Sequence, residues 1–271
     1  MAQGGALVTA IFADQTGFDG VGTFLTTSSN WWGPDGLIVH ARDQLIYTGI
    51  IVVIAAIIAL PIGMAVGHTG RGVVAIVGVA NALRAIPTLG LVVLLYVWLS
   101  SKIPVNHHQV LFLQRGAVPA FILVVAALIL LAIPPIVTNT YAGIQAVEPE
   151  VRDAARGMGM RGMQALLRVE IPCALPLIMS GLRSATLQVI ATVTVAAYLP
   201  ALGGLGRYIA DGSQSAGGYP QEVGAGLLVA AIAIVLDAIL AIVQRLVVSP
   251  GVSGQYSRQP GPTLEPLAGG L

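Results

Sequence analysis

Five stretches of this chain are long and apolar enough to cross a lipid bilayer: residues 45–66, 72–99, 117–141, 175–199 and 223–247. A hydrocarbon core of about 30 Å takes roughly 20 residues of helix, and every backbone polar group inside it must be satisfied within the segment. Runs of this kind therefore leave α-helix as the outcome. Composition agrees, with only 9% charged residues and a mean hydropathy of +0.85, against roughly 25% charged in soluble domains. The expected fold class is an all-α integral membrane protein of about five transmembrane helices.

The same composition excludes several kinds of chemistry. A net charge of +1 and a pI near 7.9 give no dense basic patch to neutralise phosphates, so no nucleic-acid partner is expected. A lone Cys173 forms no intrachain disulfide, and the four histidines lack metal-ligand spacing. The first apolar run begins near Leu45, which leaves no cleavable signal ahead of it, and this span is expected to act as its own insertion signal.

Five spans put the termini on opposite sides, and the placement of Lys and Arg chooses between the two orientations. With the N-terminus outside, Arg71, Arg84, Arg152, Arg156, Arg161, Arg168, Arg183, Arg245 and Arg258 fall on the inner side. Only Arg42, Lys102, Arg115 and Arg207 remain outside. N-out/C-in is the expected topology. Residues 1–44 then form an external arm with little core of its own, and residues 249–271, rich in Gly and Pro, a flexible cytoplasmic tail. Pro61, Pro87, Pro134 and Pro135 predict kinks, and Trp31, Trp32 and Trp98 suit an interfacial belt.

The cytoplasmic loop, residues 142–174, contains DAARGMGMRGMQALLRVEIP. Pro149 fits a first helical turn, with Glu148, Glu150 and Asp153 supplying negative charge at the dipole's positive end. Gly157 and Gly159 then interrupt the helix. A second helix carries Met163, Leu166, Leu167 and Glu170 at helical spacing and is expected to end before Pro172. The product is helix, glycine hinge, helix, lying along the membrane surface. Its alanines and soft methionines suit a groove on another protein, although an amphipathic interfacial helix satisfies the same composition.

Two charges lie within the spans. Arg183 and Asp237 each sit about 12–14 Å from the same membrane face at 1.5 Å per residue, and an unpaired charge there is unfavourable by at least roughly 2.5 kcal/mol. Asp237 is expected to pair with Arg183 or, failing that, Arg84. Asn81, Asn139, Gln188, Thr192, Thr194 and Tyr198 are candidates to line a pathway, or to act as interhelical glue. Tyr47, Tyr96, Trp98, Tyr141 and Tyr198 are too scattered for an aromatic cage around a quaternary ammonium. GGLG at 203–206 reads as a tight external turn.

The order of loop residues carries a resemblance. Asp153-Ala154-Ala155, three residues, Gly159, nine residues, then Val169, Ile171 and Pro172 closely resembles the EAA loop of ABC importer permeases, Glu-Ala-Ala, three residues, Gly, nine residues, Ile-x-Leu-Pro. IGMAVGHTGRG, ALRAIPTLGL, GIQAVEPEVRDAARGMGM, ALPLIMSGLRSATLQVIATVTVAAYL and GGLGRYIADG look like the glycine betaine, choline and carnitine branch. The resemblance implies a type I ABC importer permease fold and import of a small osmoprotectant. It also implies three partners: a cytoplasmic ABC ATPase dimer, a second permease subunit, identical or not, and an external substrate-binding protein that holds most of the selectivity. In the family this loop is the coupling helix, a role that maps onto Asp153, Ala154, Ala155 and Gly159, with Arg156 and Met158 beside them.

The chain has no GxxxxGK[ST] run, so ATP and Mg are expected on the partner ATPase and no catalytic residue or cofactor here. An ABC permease for amino acids such as methionine keeps the same architecture with another cargo. An ion-coupled secondary transporter calls for mid-membrane titratable groups and an internal repeat, and neither is found. On this reading Gly159→Pro or Ala155→Trp abolishes uptake while membrane insertion persists, which comparing vesicle uptake with membrane-extracted protein checks.

Overall fold

The computed structural model describes residues 18–85, 87, 90–91, 93–94, 97–98, 118–198, 202–215 and 217–249. Among them the chain is helical: α1 Phe18–Thr26, α2 Leu37–Thr69, α3 Val73–Ala85, α4 Val118–Gln145, α5 Pro149–Gly157, α6 Gly162–Ala196, α7 Leu205–Gln214 and α8 Tyr219–Val247. Four of these, α2, α4, α6 and α8, are long and apolar enough to cross a membrane among the described residues. Helix α3 fills the start of the expected second span. It stops at Ala85, Pro87 lies outside helix, and the Leu91 N–H donates to the Pro87 carbonyl at 2.9 Å. Much of the rest of that span lies outside the described residues.

The core is built from α2, α4 and α6. On α2 the residues at every fourth position, Tyr47, Ile51, Ala55, Ala59, Gly63 and Gly67, are all buried, while Val53 and Ile57 on other faces are exposed. A helix apolar all round, buried along one stripe of mostly small residues, is what lipid-embedded packing requires, because lipid tails do not drive apolar faces together. The small residues set the spacing. A Cβ on Gly63 would stand 2.6 Å from Thr140 Cβ, and one on Gly67 2.6 Å from Ile144 Cβ. Likewise a Cβ on Gly181 of α6 would meet Asn139 Cβ of α4 at 2.7 Å. Between α4 and α6 lie Leu128, Ile136, Val189 and Val193, all almost fully buried.

A proline inside a helix leaves a carbonyl without its usual donor, and a neighbouring helix can satisfy it. Pro135 has no N–H to give the Leu131 carbonyl; Gln188 of α6 donates to that carbonyl instead, at 3.1 Å. At the opposite end from the loop, Gln44 of α2 is fully buried and donates to the Ile190 carbonyl and the Thr194 hydroxyl, both at 3.1 Å. These bonds tie α2 and α4 to α6.

Helix α6 corrects one expectation. The second loop helix does not end before Pro172: it continues through Pro172 and Pro176 as a single helix, Gly162–Ala196. A wide π-helical turn at Leu166–Glu170 precedes Pro172, and such a turn makes room for a ring that would clash in a regular helix. Only α5 is a separate loop helix.

The arm and the GGLG segment both contain helix. Helix α1 packs on the start of α8, where Gly224 meets Phe24 and Leu25 so closely that an added Cβ would stand 2.6 Å from the Phe24 ring. Trp31 donates its indole N–H to the Leu25 carbonyl at 2.6 Å, while Trp32 stays exposed. Gly204, at φ +94, does not close a simple turn but starts α7. The Tyr208 hydroxyl on α7 donates to the Asp35 carbonyl, and its ring meets His40 edge-on at 4.9 Å. The mixed Gly, Ser and polar composition of 205–214 hid this helix from the sequence.

Gly63→Val is expected to destabilise the fold by about 1–3 kcal/mol through overpacking against Thr140, whereas Gly49→Ala, in open space, should be near neutral. Thermal unfolding of the two variants in detergent checks the contrast.

Candidate functional site

The loop folds as its sequence dictates locally. Glu148 precedes α5, Pro149 occupies the first turn with Glu150, and Arg156 lies in the last, an arrangement that suits both ends of the helix dipole. The helix stops in a paired cap: the Gly159 N–H donates to the Arg156 carbonyl at 2.9 Å and the Met160 N–H to the Ala155 carbonyl at 3.1 Å. That geometry needs a left-handed residue, and Gly159 supplies it at φ +82. Arg161 then opens α6, its N–H donating to the Gln164 side chain at 3.1 Å.

The cap fixes which face of α5 is free. Ala155 points inward and is 1% exposed; Asp153, Ala154, Arg156 and Met158 point outward, Met158 at 72%. Asp153 and Arg156 pair at 3.4 Å on the surface, a contact of little energetic weight. At the start of α6, Met163 and Leu167 are also exposed, while Ala165 and Leu166 turn inward, Leu166 packing on Ile144, Ala174 and Ile178. An outward surface of small, soft apolar and charged groups therefore stands on a buried base. Ala155, one of the expected contact residues, belongs to that base.

The base includes a carboxylate whose partners the sequence did not indicate. Glu170 lies on the buried stripe of α6 between Leu166 and Ala174 and is 2% exposed. His68 Nδ1, in the last turn of α2, is 2.8 Å from Glu170 Oε2, and Arg152 Nε, on α5, is 3.6 Å from Oε1. Arg152 also donates through Nη2 to the Ile144 carbonyl in the last turn of α4. The signal was present: Glu170 falls four residues after Leu166 and four before Ala174, so a helix burying those residues buries the carboxylate, which then needs partners.

Within the spans, Arg183 and Asp237 are brought together in a two-point contact, Nε to Oδ1 at 2.8 Å and Nη2 to Oδ2 at 2.7 Å. Gln244 accepts from Arg183 at 3.3 Å and donates to the Pro176 carbonyl at 3.3 Å. This network joins α6 to α8. The Arg84 side chain lies outside the described residues.

The pathway candidates are spread over several elements. Asn81 is exposed on α3; Asn139 donates to the Pro135 carbonyl at 2.8 Å; Thr192 bonds the Gln188 carbonyl at 2.9 Å; Tyr198 is half exposed just past the end of α6. Asn139 and Thr192 are thus engaged with their own helix backbones, and Gln188 with Leu131 of α4. Among the described residues no group of three His, Cys, Asp or Glu side chains is placed to hold a metal ion.

Asp237→Asn is expected to leave Arg183 without its charge partner and to lower the melting temperature. The double variant Arg183→Gln, Asp237→Asn should recover part of that loss, because no lone charge remains. Melting temperatures of the single and double variants in detergent check the difference.

Residues 57–250 match the family described as the binding-protein-dependent transport system inner membrane component. Among curated relatives, the chain is 32% identical over 235 residues to the glycine betaine/carnitine/choline transport system permease protein OpuCB of Bacillus subtilis, covering 86% of this chain and 95% of that one. It is 30% identical to the choline transport system permease protein OpuBB of the same organism, over 80% of this chain and 90% of the relative. The osmoprotectant import permease protein OsmW of Salmonella typhimurium is 32% identical over 73% of this chain and 86% of its own. Two solved structures of the MetNI methionine ABC transporter in inward-facing conformations share the fold. One matches with a TM-score of 0.61 at 18% identity, over 79% of this chain and 96% of that chain; the other with 0.66 at 17%, over 83% and 100%.

Proposed function

Because the chain belongs to the family of inner membrane components of binding-protein-dependent transport systems, a multi-pass membrane family with the type I ABC importer fold, we propose that it is the permease of an ATP-driven importer for a small osmoprotectant such as glycine betaine, choline or carnitine. The observation that carries this reading is the similarity to glycine betaine/carnitine/choline permease OpuCB across 86% of the chain. The loop surface gives it a physical basis. A permease without a phosphate-binding loop must take its free energy from a subunit that has one, and α5 with the start of α6 presents a compact, outward surface for that contact.

In this reading α5 faces the cytoplasm, as the distribution of arginines favours, and rests in a groove of an ABC ATPase dimer that binds the ATP and Mg. Asp153, Ala154, Arg156 and Met158 make the contact; Ala155 and Gly159 hold the helix in the shape that allows it. A second permease subunit, identical or not, completes the passage, and an external substrate-binding protein delivers the solute. Closure of the ATPase dimer displaces the groove and swings the spans as rigid bodies. The side chains engaged between α6 and its neighbours α4 and α8 favour such rigid-body motion, because each bond must be broken for one helix to slide past another.

The face assignment separates two kinds of variant. Met158→Glu places a charge on the exposed contact surface and should abolish co-purification of the ATPase while the permease stays folded. Ala155→Trp acts on the base of the loop, with overpacking of about 1–3 kcal/mol or more, and should lower the permease's own melting temperature as well. Affinity purification of the permease co-expressed with a candidate ATPase and binding protein, followed by melting curves, checks both. Retention of the ATPase by Met158→Glu at the wild-type level removes the docking role of this surface.

A further inference from the structure

The buried carboxylate at the loop end joins more elements than the packing of one helix requires. Glu170 belongs to α6, yet its two oxygens face α2 and α5. His68 Nδ1 lies within hydrogen-bond distance of Glu170 Oε2, at 2.8 Å. Gly162, the first residue of α6, lies near the ring's other nitrogen: a Cβ built on it would stand 3.4 Å from Nε2. Arg152, facing the second oxygen, reaches the Ile144 carbonyl of α4 with its other end. Ile144 in turn lies directly over Gly67 of α2. The ends of α2, α4, α5 and α6 thus meet around a single side chain.

Helix α5 needs such an attachment. At nine residues it is too short to be stable alone. One of its ends connects through Ala146 and Val147 to α4, and the other through the left-handed Gly159 to α6. Its surface pair, Asp153 with Arg156, lies within the helix and ties it to nothing else. Among the described residues, the polar side-chain contacts of α5 with the spans run through Arg152 to Glu170 and Ile144, beside the inward-facing Ala155.

We infer that Glu170 is a positioning residue for transport: by holding Arg152 and His68 together, it locks α5 to the ends of the spans, so that a displacement applied to α5 moves the spans instead of being absorbed at Gly159. This rests on α5 being the ATPase contact. The buried location of the carboxylate makes the lock stiff. Because Glu170 is 2% exposed, separating it from Arg152 and His68 leaves a buried carboxylate without its partners.

The test is a ratio, not an activity. The permease, its ATPase and its binding protein are placed in liposomes, and uptake of radiolabelled glycine betaine, choline and carnitine is measured with ATP hydrolysis in the same vesicles. Glu170→Gln should retain the ATPase on co-purification and continue to hydrolyse ATP, with solute moved per ATP falling about fivefold or more. Arg152→Gln should lower the ratio similarly, and combining the two should add little, because both act through one contact.

A ratio unchanged from wild type in Glu170→Gln overturns the inference, and so does a fall in uptake and hydrolysis together in proportion to assembled complex. Should Glu170→Gln fail to assemble, Arg152→Gln, which leaves the contact with His68 in place, reads the same ratio and decides the matter. Wild-type vesicles that show no ATP-driven uptake of any of the three solutes overturn the transport reading itself, a result visible before any variant is compared.

Discussion

Close approach of α2 to α4 is the constraint on which the rest of the structure depends. Within lipid there is no hydrophobic gain in bringing two apolar helices together, so their contact relies on dispersion over a tightly matched surface and on a few polar bonds. Gly63 and Gly67 supply that surface by leaving room for Thr140 and Ile144. Once those two helices are in contact, the loop end of α4 is fixed beside the loop end of α2. Ile144 then offers its carbonyl to Arg152, and His68 lies within reach of Glu170. The geometry of the loop is a consequence of backbone spacing in the last two turns of α2 and α4 beside it.

The two ends of the bundle solve different problems. At the loop end, the buried carboxylate of Glu170 faces His68 and Arg152. At the opposite end the elements are joined by neutral bonds: Gln44 to α6, Tyr208 to the Asp35 carbonyl, Trp31 to the Leu25 carbonyl. Neutral bonds of this kind are individually weak, on the order of 0.6 kcal/mol between membrane helices. They permit rearrangement more readily than buried charge pairs do.

Much of the candidate site was legible from local sequence. Pro149, Glu150 and Gly159 determine where α5 begins and ends, because capping and dipole preferences act over a few residues. Arg183 and Asp237 were legible for another reason: a helix converts residue number into depth, and two opposite charges at one depth have little choice but to meet. Pro172 misled because proline's usual effect is to end a helix, and only the wide turn at Leu166–Glu170 allows the ring to be carried through. The Glu170 contact was not legible, since His68 lies 102 residues away in sequence. Nor was the face of Ala155, which depends on what α5 rests upon.

By itself the sequence determined that this chain is a bundle of membrane helices with a helix and glycine cap between the third and fourth apolar runs, because hydropathy, proline, glycine and charge act through local backbone energetics and through the depth of each residue. Tertiary structure alone decided that α6 continues unbroken from the loop into the span, that α1 and α7 pack at the far end, and that Glu170 gathers the ends of four helices. Those outcomes turn on which faces meet. When every face of a helix is apolar, periodicity does not distinguish the side turned to lipid from the side turned to protein; the clearance around Gly63, Gly67 and Gly181 does.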